Sequence, residues 1–231
     1  MLEGVLIGRK KSRSTGPGPQ QFKTPALSTL QEGYYGFVTA AELGLGTEIA
    51  AALGLTEGTV MNDSVGFYKF AWEGKTIFIA AKAFRYAISW KALYDVGAIF
   101  GDGTTGVVPS GVTPRNQDAV YAKGAWQFRV SVANHDSTNP KSTAPNGTAF
   151  MINRLMNRIQ STWSAATRWD TISSSNLTDQ SLGYYDHTRT VNTNLTSIWA
   201  NLRLAATSYG GIAVTGTNTI AGWRPVLELI E

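Results

Sequence analysis

The 231-residue chain contains no cysteine, which excludes disulfides, thiolate metal sites and cysteine nucleophiles. Histidine is nearly as scarce, with two in the whole sequence, so there is little material for imidazole metal centres or histidine acid–base chemistry. Charge is sparse as well: Asp, Glu, Lys and Arg make up 16% of residues. No apolar run approaches the length that spans a bilayer, and the opening Met1-Leu-Glu-Gly-Val-Leu-Ile-Gly-Arg is too short in its apolar stretch for a secretory signal. The expectation is synthesis and folding in a cytoplasm, with no membrane partner.

Against these absences stand 43% hydrophobic and 11% aromatic residues, enough for a core in one large or two small domains. Twenty-four glycines, with many Ser, Thr and Asn, point to a loop-rich body containing β-structure. A polar, uncharged surface of this kind suits a subunit packed among neighbours; it also suits a chain that is merely rich in loops. The formal charge of +4 is unevenly placed. Residues 1–23 hold five cations (Arg9, Lys10, Lys11, Arg13 and Lys23) against Glu3 alone, while the remainder balances fifteen against fifteen.

Residues 1–32 read as an extended basic arm. Pro17, Pro19 and Pro25, with interleaved glycines, deny it a ladder or helix of its own. Tyr34 to Thr39 is a short strand, and Glu42 to Leu53 a small helix stopped by Gly54. Phe67–Trp72 and Lys75–Ala80 flank Glu73-Gly74, a two-residue hairpin signal. Ile77, Phe78 and Ile79 are apolar in succession, as in a strand buried on both faces. Ser89 is placed to cap a helix carrying Trp90, Leu93, Tyr94 and Val96, closed by Gly97. Trp126 to Ala133 alternates as a half-buried strand. Thr148 is placed to cap the longest helix, with Met151, Leu155, Met156 and Ile159 at helical spacing. From Ser164 to Gly222 periodicity fades into a long irregular region carrying Trp169, Tyr184, Tyr185, Trp199 and Tyr209. Val226, Leu227, Leu229 and Ile230 mark a last core strand, with Pro225 at its start.

Few of these residues suggest chemistry. His135 precedes Asp136 and His187 follows Asp186, but no third ligand stands at characteristic spacing, so both read as loop histidines and no metal or cofactor is expected. Gly101-Asp-Gly-Thr-Thr-Gly106 fits a dinucleotide pattern, yet a helix ends before it and a turn-rich stretch follows, the reverse of the required context. Gly74-Lys75-Thr76 ends like a phosphate-binding loop, but Lys69 stands where its first glycine belongs. Asp170, Asp179 and Asp186 could supply a glycosidase pair only if two of them met in space. The cluster Arg9, Lys10, Lys11 and Arg13 has no interleaved aromatic; a solvated arm or an acidic protein partner fits it better than nucleic acid. Trp169, Tyr184, Tyr185, Trp199 and Tyr209 could present ring faces to a sugar, or could staple their own loops.

Several blocks recur in one order: Gly33-Tyr-Tyr-Gly-Phe-Val-Thr-Ala-Ala-Glu-Leu, Ala50-Ala-Ala-Leu-Gly-Leu-Thr-Glu-Gly-Thr, Asp63-Ser-Val-Gly-Phe-Tyr-Lys-Phe, Lys75 to Trp90, Trp126-Gln-Phe-Arg-Val, Asn153-Arg-Leu-Met and Gly222-Trp-Arg-Pro-Val-Leu-Glu-Leu. Together they resemble a family of tailed-bacteriophage virion proteins. The closing block also resembles the end of C-type-lectin-like and formylglycine-generating-enzyme-like domains. The resemblance implies an α+β body over residues 33–231, with a small twisted antiparallel sheet, two helices and a long irregular loop region. In such domains the first and last strands pair. It further implies a non-enzymatic subunit located on the virion (neck or collar, tail, baseplate or capsid surface), docked through residues 1–32 onto other virion proteins or copies of itself. A host-surface carbohydrate-binding adhesin is the alternative. The cysteine-dependent oxidation known in that superfamily does not carry over to a chain without cysteine.

Overall fold

The computed structural model describes residues 14–23, 32–106, 108, 111–133, 151–177, 185–191, 197–201, 209–213, 215 and 221–230. Along them run β1 (Gly33–Val38), α1 (Ala40–Leu43), α2 (Gly46–Leu53), β2 (Thr59–Val60), β3 (Phe67–Trp72), β4 (Lys75–Ala80), β5 (Arg85–Tyr86), α3 (Trp90–Asp95), β6 (Val120–Lys123), β7 (Trp126–Val132), β8 (Tyr185–Val191), β9 (Ser197–Asn201), β10 (Tyr209–Ala213), β11 (Ala221–Trp223) and β12 (Pro225–Ile230). The architecture is α+β, with strands predominating.

Two six-stranded sheets form, in the orders β1-β3-β4-β12-β7-β6 and β10-β9-β8-β11-β5-β2. The first is antiparallel throughout; in the second, β11 runs parallel to β8. The first sheet is the middle layer of the body. One face carries Phe67, Phe78, Ala80, Phe128, Val130 and Leu227 under Ile49 and Ala50 of α2 and Trp90, Leu93 and Tyr94 of α3. The other carries Tyr68, Phe70, Ile77, Ile79 and Val226 against Met151, Leu155, Met156, Ile159, Trp169 and Leu177. Cover on both faces is why Ile77-Phe78-Ile79 dispenses with alternation.

Local signals hold where they rest on one turn. Glu73 and Gly74 both take positive φ, 50° and 79°, as the hairpin turn between β3 and β4 demands. Gly54 closes α2 in the left-handed region at φ 72°, and the Ser89 hydroxyl accepts from Ala92 N at the start of α3. Between Gly101 and Gly106 the chain turns through Asp102, whose Oδ1 accepts from Thr104 N at 2.9 Å.

Several expectations give way. In place of one small sheet and two helices stand two six-stranded sheets and, among the described residues, three α-helices, the helix expected over Glu42 to Leu53 dividing into α1 and α2. His187, expected in a loop, lies in β8. The long regular helix near residue 151 is instead a π-helical turn, Ile152–Met156, followed by a 3-10 turn, Asn157–Ile159. The five-residue spacing from Met151 to Met156 suits that wider turn, and Thr148 lies outside the described residues. The region from Ser164 to Gly222 is not wholly irregular, since it supplies β8 to β11. Finally, β12 does not pair with β1. It lies between β4 and β7, while β1 pairs with β3 at the sheet edge.

Candidate functional site

Residues 1–32 are expected to order only against a partner, yet residues 14–23 lie on the chain's own first sheet. The group that holds them is Lys69. On β3 it stands across from Gly36 of β1 and Phe78 of β4, and it is 0% exposed. Its Nζ donates to the carbonyls of Gly16 (3.4 Å), Pro17 (2.9 Å) and Pro19 (2.7 Å). The rings of Tyr35 and Phe78 lie 5.0 and 5.6 Å from it. An ammonium has three protons to donate, and a Gly-Pro stretch offers carbonyls with few N–H groups of its own. Each therefore satisfies what the other lacks. Burial pushes the Lys69 ammonium down to about 8, with the Glu42 carboxylate acting in the opposite direction.

The segment also ties itself together. Gln20 Nε2 donates to the carbonyls of Gly16 (2.6 Å) and Gly18 (2.8 Å), and its Oε1 accepts from Thr15 N and Oγ1. Gly18 has φ +74°, and a Cβ there would stand 2.5 Å from Val38 Cγ2, so glycine is required on both counts. Phe22 packs on Tyr35 with centroids 4.5 Å apart. Lys23 N donates to Tyr34 O at 2.8 Å, and the Lys23 ammonium pairs with Asp170.

Two arginines repeat the device. Arg85 Nη1 donates to the carbonyls of Thr56, Glu57 and Gly58 at 3.0–3.2 Å. Arg224, 5% exposed, reaches the carbonyls of Ala81 (3.0 Å) and Leu177 (2.9 Å), tying the end of β4 to the layer beneath. Both cations meet carbonyls of irregular segments, buried ones at Arg224 and partly exposed ones at Arg85. Glu32 works with opposite sign. Its buried carboxylate pairs with Arg154 and Arg158, whose guanidiniums each lie 5.0 Å from an indole, that of Trp72 and that of Trp169. Burial raises Glu32 more than the two guanidiniums lower it.

An open groove of about 330 Å³ lies beside the β3–β4 turn, lined by Gly74, Lys75, Thr76, Arg129, Glu228, Leu229 and Ile230. Within it Lys75 and Glu228 pair at 3.0 Å. Among the described residues, no three acidic or histidine side chains gather to hold a metal ion, and no helix is long and apolar enough to cross a membrane.

The residues singled out in the sequence fare differently. Arg9, Lys10, Lys11, Arg13, His135, Asp179 and Tyr184 lie outside the described residues. Tyr185 opens β8, Trp199 is mid-β9 and Tyr209 opens β10, on three adjacent strands at one edge of the second sheet. Trp169 is not on a sugar-binding surface. At 3% exposure its ring lies beneath Arg158 and 6.4 Å from that of Phe70, so it staples the lower layer to the first sheet. Sequence reasoning missed Lys69, Arg224 and Glu32. For Lys69 a signal was present: its neighbours two positions away on the strand, Phe67 and Ala71, are both apolar.

Comparison of the chain with protein-family models, with curated proteins and with solved structures returns no match in any of the three.

Proposed function

We propose that this chain is a non-enzymatic structural subunit of a tailed-phage virion. The observation that carries the reading is how the buried charges are used. Among the described residues the buried charged side chains are Glu32, Lys69 and Arg224, and each holds an irregular segment in place. A body whose interior charge is spent on fixing its own loops suits a rigid building block. The ordered sequence blocks add support, as does a strand-bearing excursion between β7 and β11; the separation of β1 from β12 argues against the lectin-like detail. Mass spectrometry of purified particles tests the reading. The protein should be present at stoichiometric abundance, and its confinement to infected-cell lysate would overturn it.

In this reading Arg9, Lys10, Lys11 and Arg13 dock on acidic groups of a neighbouring subunit. Because residues 14–23 cover Lys69, a truncation meant to test docking must stop at residue 13. Deletion of residues 2–13 should leave a folded chain that no longer enters particles, and normal incorporation would refute the docking role.

A second reading, a host-glycan adhesin, draws on the placement of Tyr185, Trp199 and Tyr209 on three adjacent strands toward one edge of the second sheet. Glycan binding lost in Trp199→Ala without unfolding would favour it.

A further inference from the structure

We propose that the Lys69 site is a receptor for the Gly16–Pro19 segment of a second copy as well as of its own chain, so that copies join by exchanging residues 14–23. The site reads one backbone conformation. Three carbonyls must converge on one ammonium, Gly18 must pass against Val38, and Pro19 must meet Gly36, where a Cβ would lie 3.2 Å from the proline ring. A lid needed only to cover apolar surface would be served by an apolar residue at position 69; a buried charge with directional partners fixes register instead.

The occupant is constrained by charge. Among the described residues Lys69 has no carboxylate as a hydrogen-bond partner, and residues 14–22 (Ser-Thr-Gly-Pro-Gly-Pro-Gln-Gln-Phe) carry no charge. A second copy supplies this sequence by construction. Exchange also remakes every contact in trans, which is what makes swapping of a terminal element a low-cost route to association. The strand bearing Tyr35 and Gly36 is at the sheet edge, so the receptor is open to approach. The eight residues 24–31 give the segment a reach of about 27 Å when extended. Exchange of this segment is independent of any place on a virion, and purified protein alone tests it.

The absence of cysteine makes the test clean. Full-length Lys23→Cys and full-length Asp170→Cys chains are mixed, warmed to allow exchange, and treated with a thiol crosslinker of about a lysine's length. Neither chain can crosslink within itself; Lys23→Cys removes the ion pair and a contact with the Tyr34 ring, and Asp170→Cys removes in addition the acceptor of Thr171 N, so the melting of each chain is checked against the parent first. A crosslinked heterodimer is expected for this pair. The control partner Val120→Cys, on the opposite edge strand, should give none. Lys69→Glu in the receptor chain turns a carboxylate toward the three carbonyls and should lower the yield about tenfold or more. Gly18→Ala in the donor chain, which leaves the receptor body unaltered, should do the same. No heterodimer, equal yields with the Val120→Cys control, or yields indifferent to both Lys69→Glu and Gly18→Ala would each overturn the proposal.

Discussion

Truncating Trp169 to alanine separates the two roles its residue type allows. The indole is 3% exposed, packs among Tyr34, Phe70, Leu155 and Ile159 in the lower core, and carries the Arg158 guanidinium on its face. Removing a buried tryptophan costs about 3–5 kcal/mol in transfer and cavity terms. The lost cation–π contact adds about 0.5–1 kcal/mol, since Arg158 is partly exposed. A domain of this size loses about 2–4 °C of melting temperature per kcal/mol, so a total of about 3.5–6 kcal/mol should lower it by about 7–24 °C. Arg158 would also lose its platform beside Glu32, so amide exchange over residues 151–172 should accelerate more than in α3. Thermal denaturation with hydrogen-exchange mass spectrometry reads both effects. A variant that melts within about 2 °C of the parent would show that Trp169 is not the staple described here.

Further outcomes follow from other buried groups. Lys69 has a folded value of about 8 against an ordinary 10.5, so below pH 8 folded and unfolded chains are both charged there. From pH 8 upward the unfolded chain holds the extra proton, and stability should climb by up to about 3 kcal/mol toward pH 10. Above pH 10 the slope should reverse, because burial pushes Tyr68 and Tyr121 up to about 12 and the unfolded chain ionises them first. Denaturant titration across this range measures the curve, and Lys69→Met should abolish the rise; a flat wild-type curve would contradict the burial cost assigned to Lys69. Because burial outweighs the two arginines at Glu32, Glu32→Gln should cost no more than about 1 kcal/mol, whereas Glu32→Ala, which leaves Arg154 and Arg158 without an acceptor, should cost about 2–3 kcal/mol. Gly74→Val places a β-branched residue at φ 79° and should cost about 2 kcal/mol by chemical denaturation.

Legibility in the sequence tracked the range of the interaction. The Glu73-Gly74 turn, the Ser89 cap and the Gly54 stop are decided within four residues, and each is where the sequence places it. The paired layers were half legible: unbroken apolar runs in β4 implied cover on both faces but not what covers them. The π turn at Ile152–Met156 was hidden because Met151, Leu155, Met156 and Ile159 satisfy a helical period nearly as well as a wider one. Strands β8 to β10 escaped notice because β8 carries Asp186, His187 and Arg189 among its seven residues, while β9 and β10 are five residues each, too short for alternation to stand out. Apolar neighbours at Phe67 and Ala71 hint that Lys69 is buried, but what covers it was hidden for a different reason. Its acceptors lie 50 to 53 positions upstream in a stretch whose composition argues against order, and composition does not reveal that a buried cation elsewhere will supply the missing donors.

The central place of β12 has a consequence for the order of events during synthesis. It is the last strand along the chain, yet it separates β1, β3 and β4 from β7 and β6, and Glu228 meets Lys75 across 153 positions. While the polypeptide emerges, the first sheet exists as two fragments, each with one raw edge that no earlier segment fills. Closing it requires a very long loop, so maturation should be slow for the chain length, and nascent chains stalled short of residue 225 should bind holdase chaperones or pair their open edges with one another.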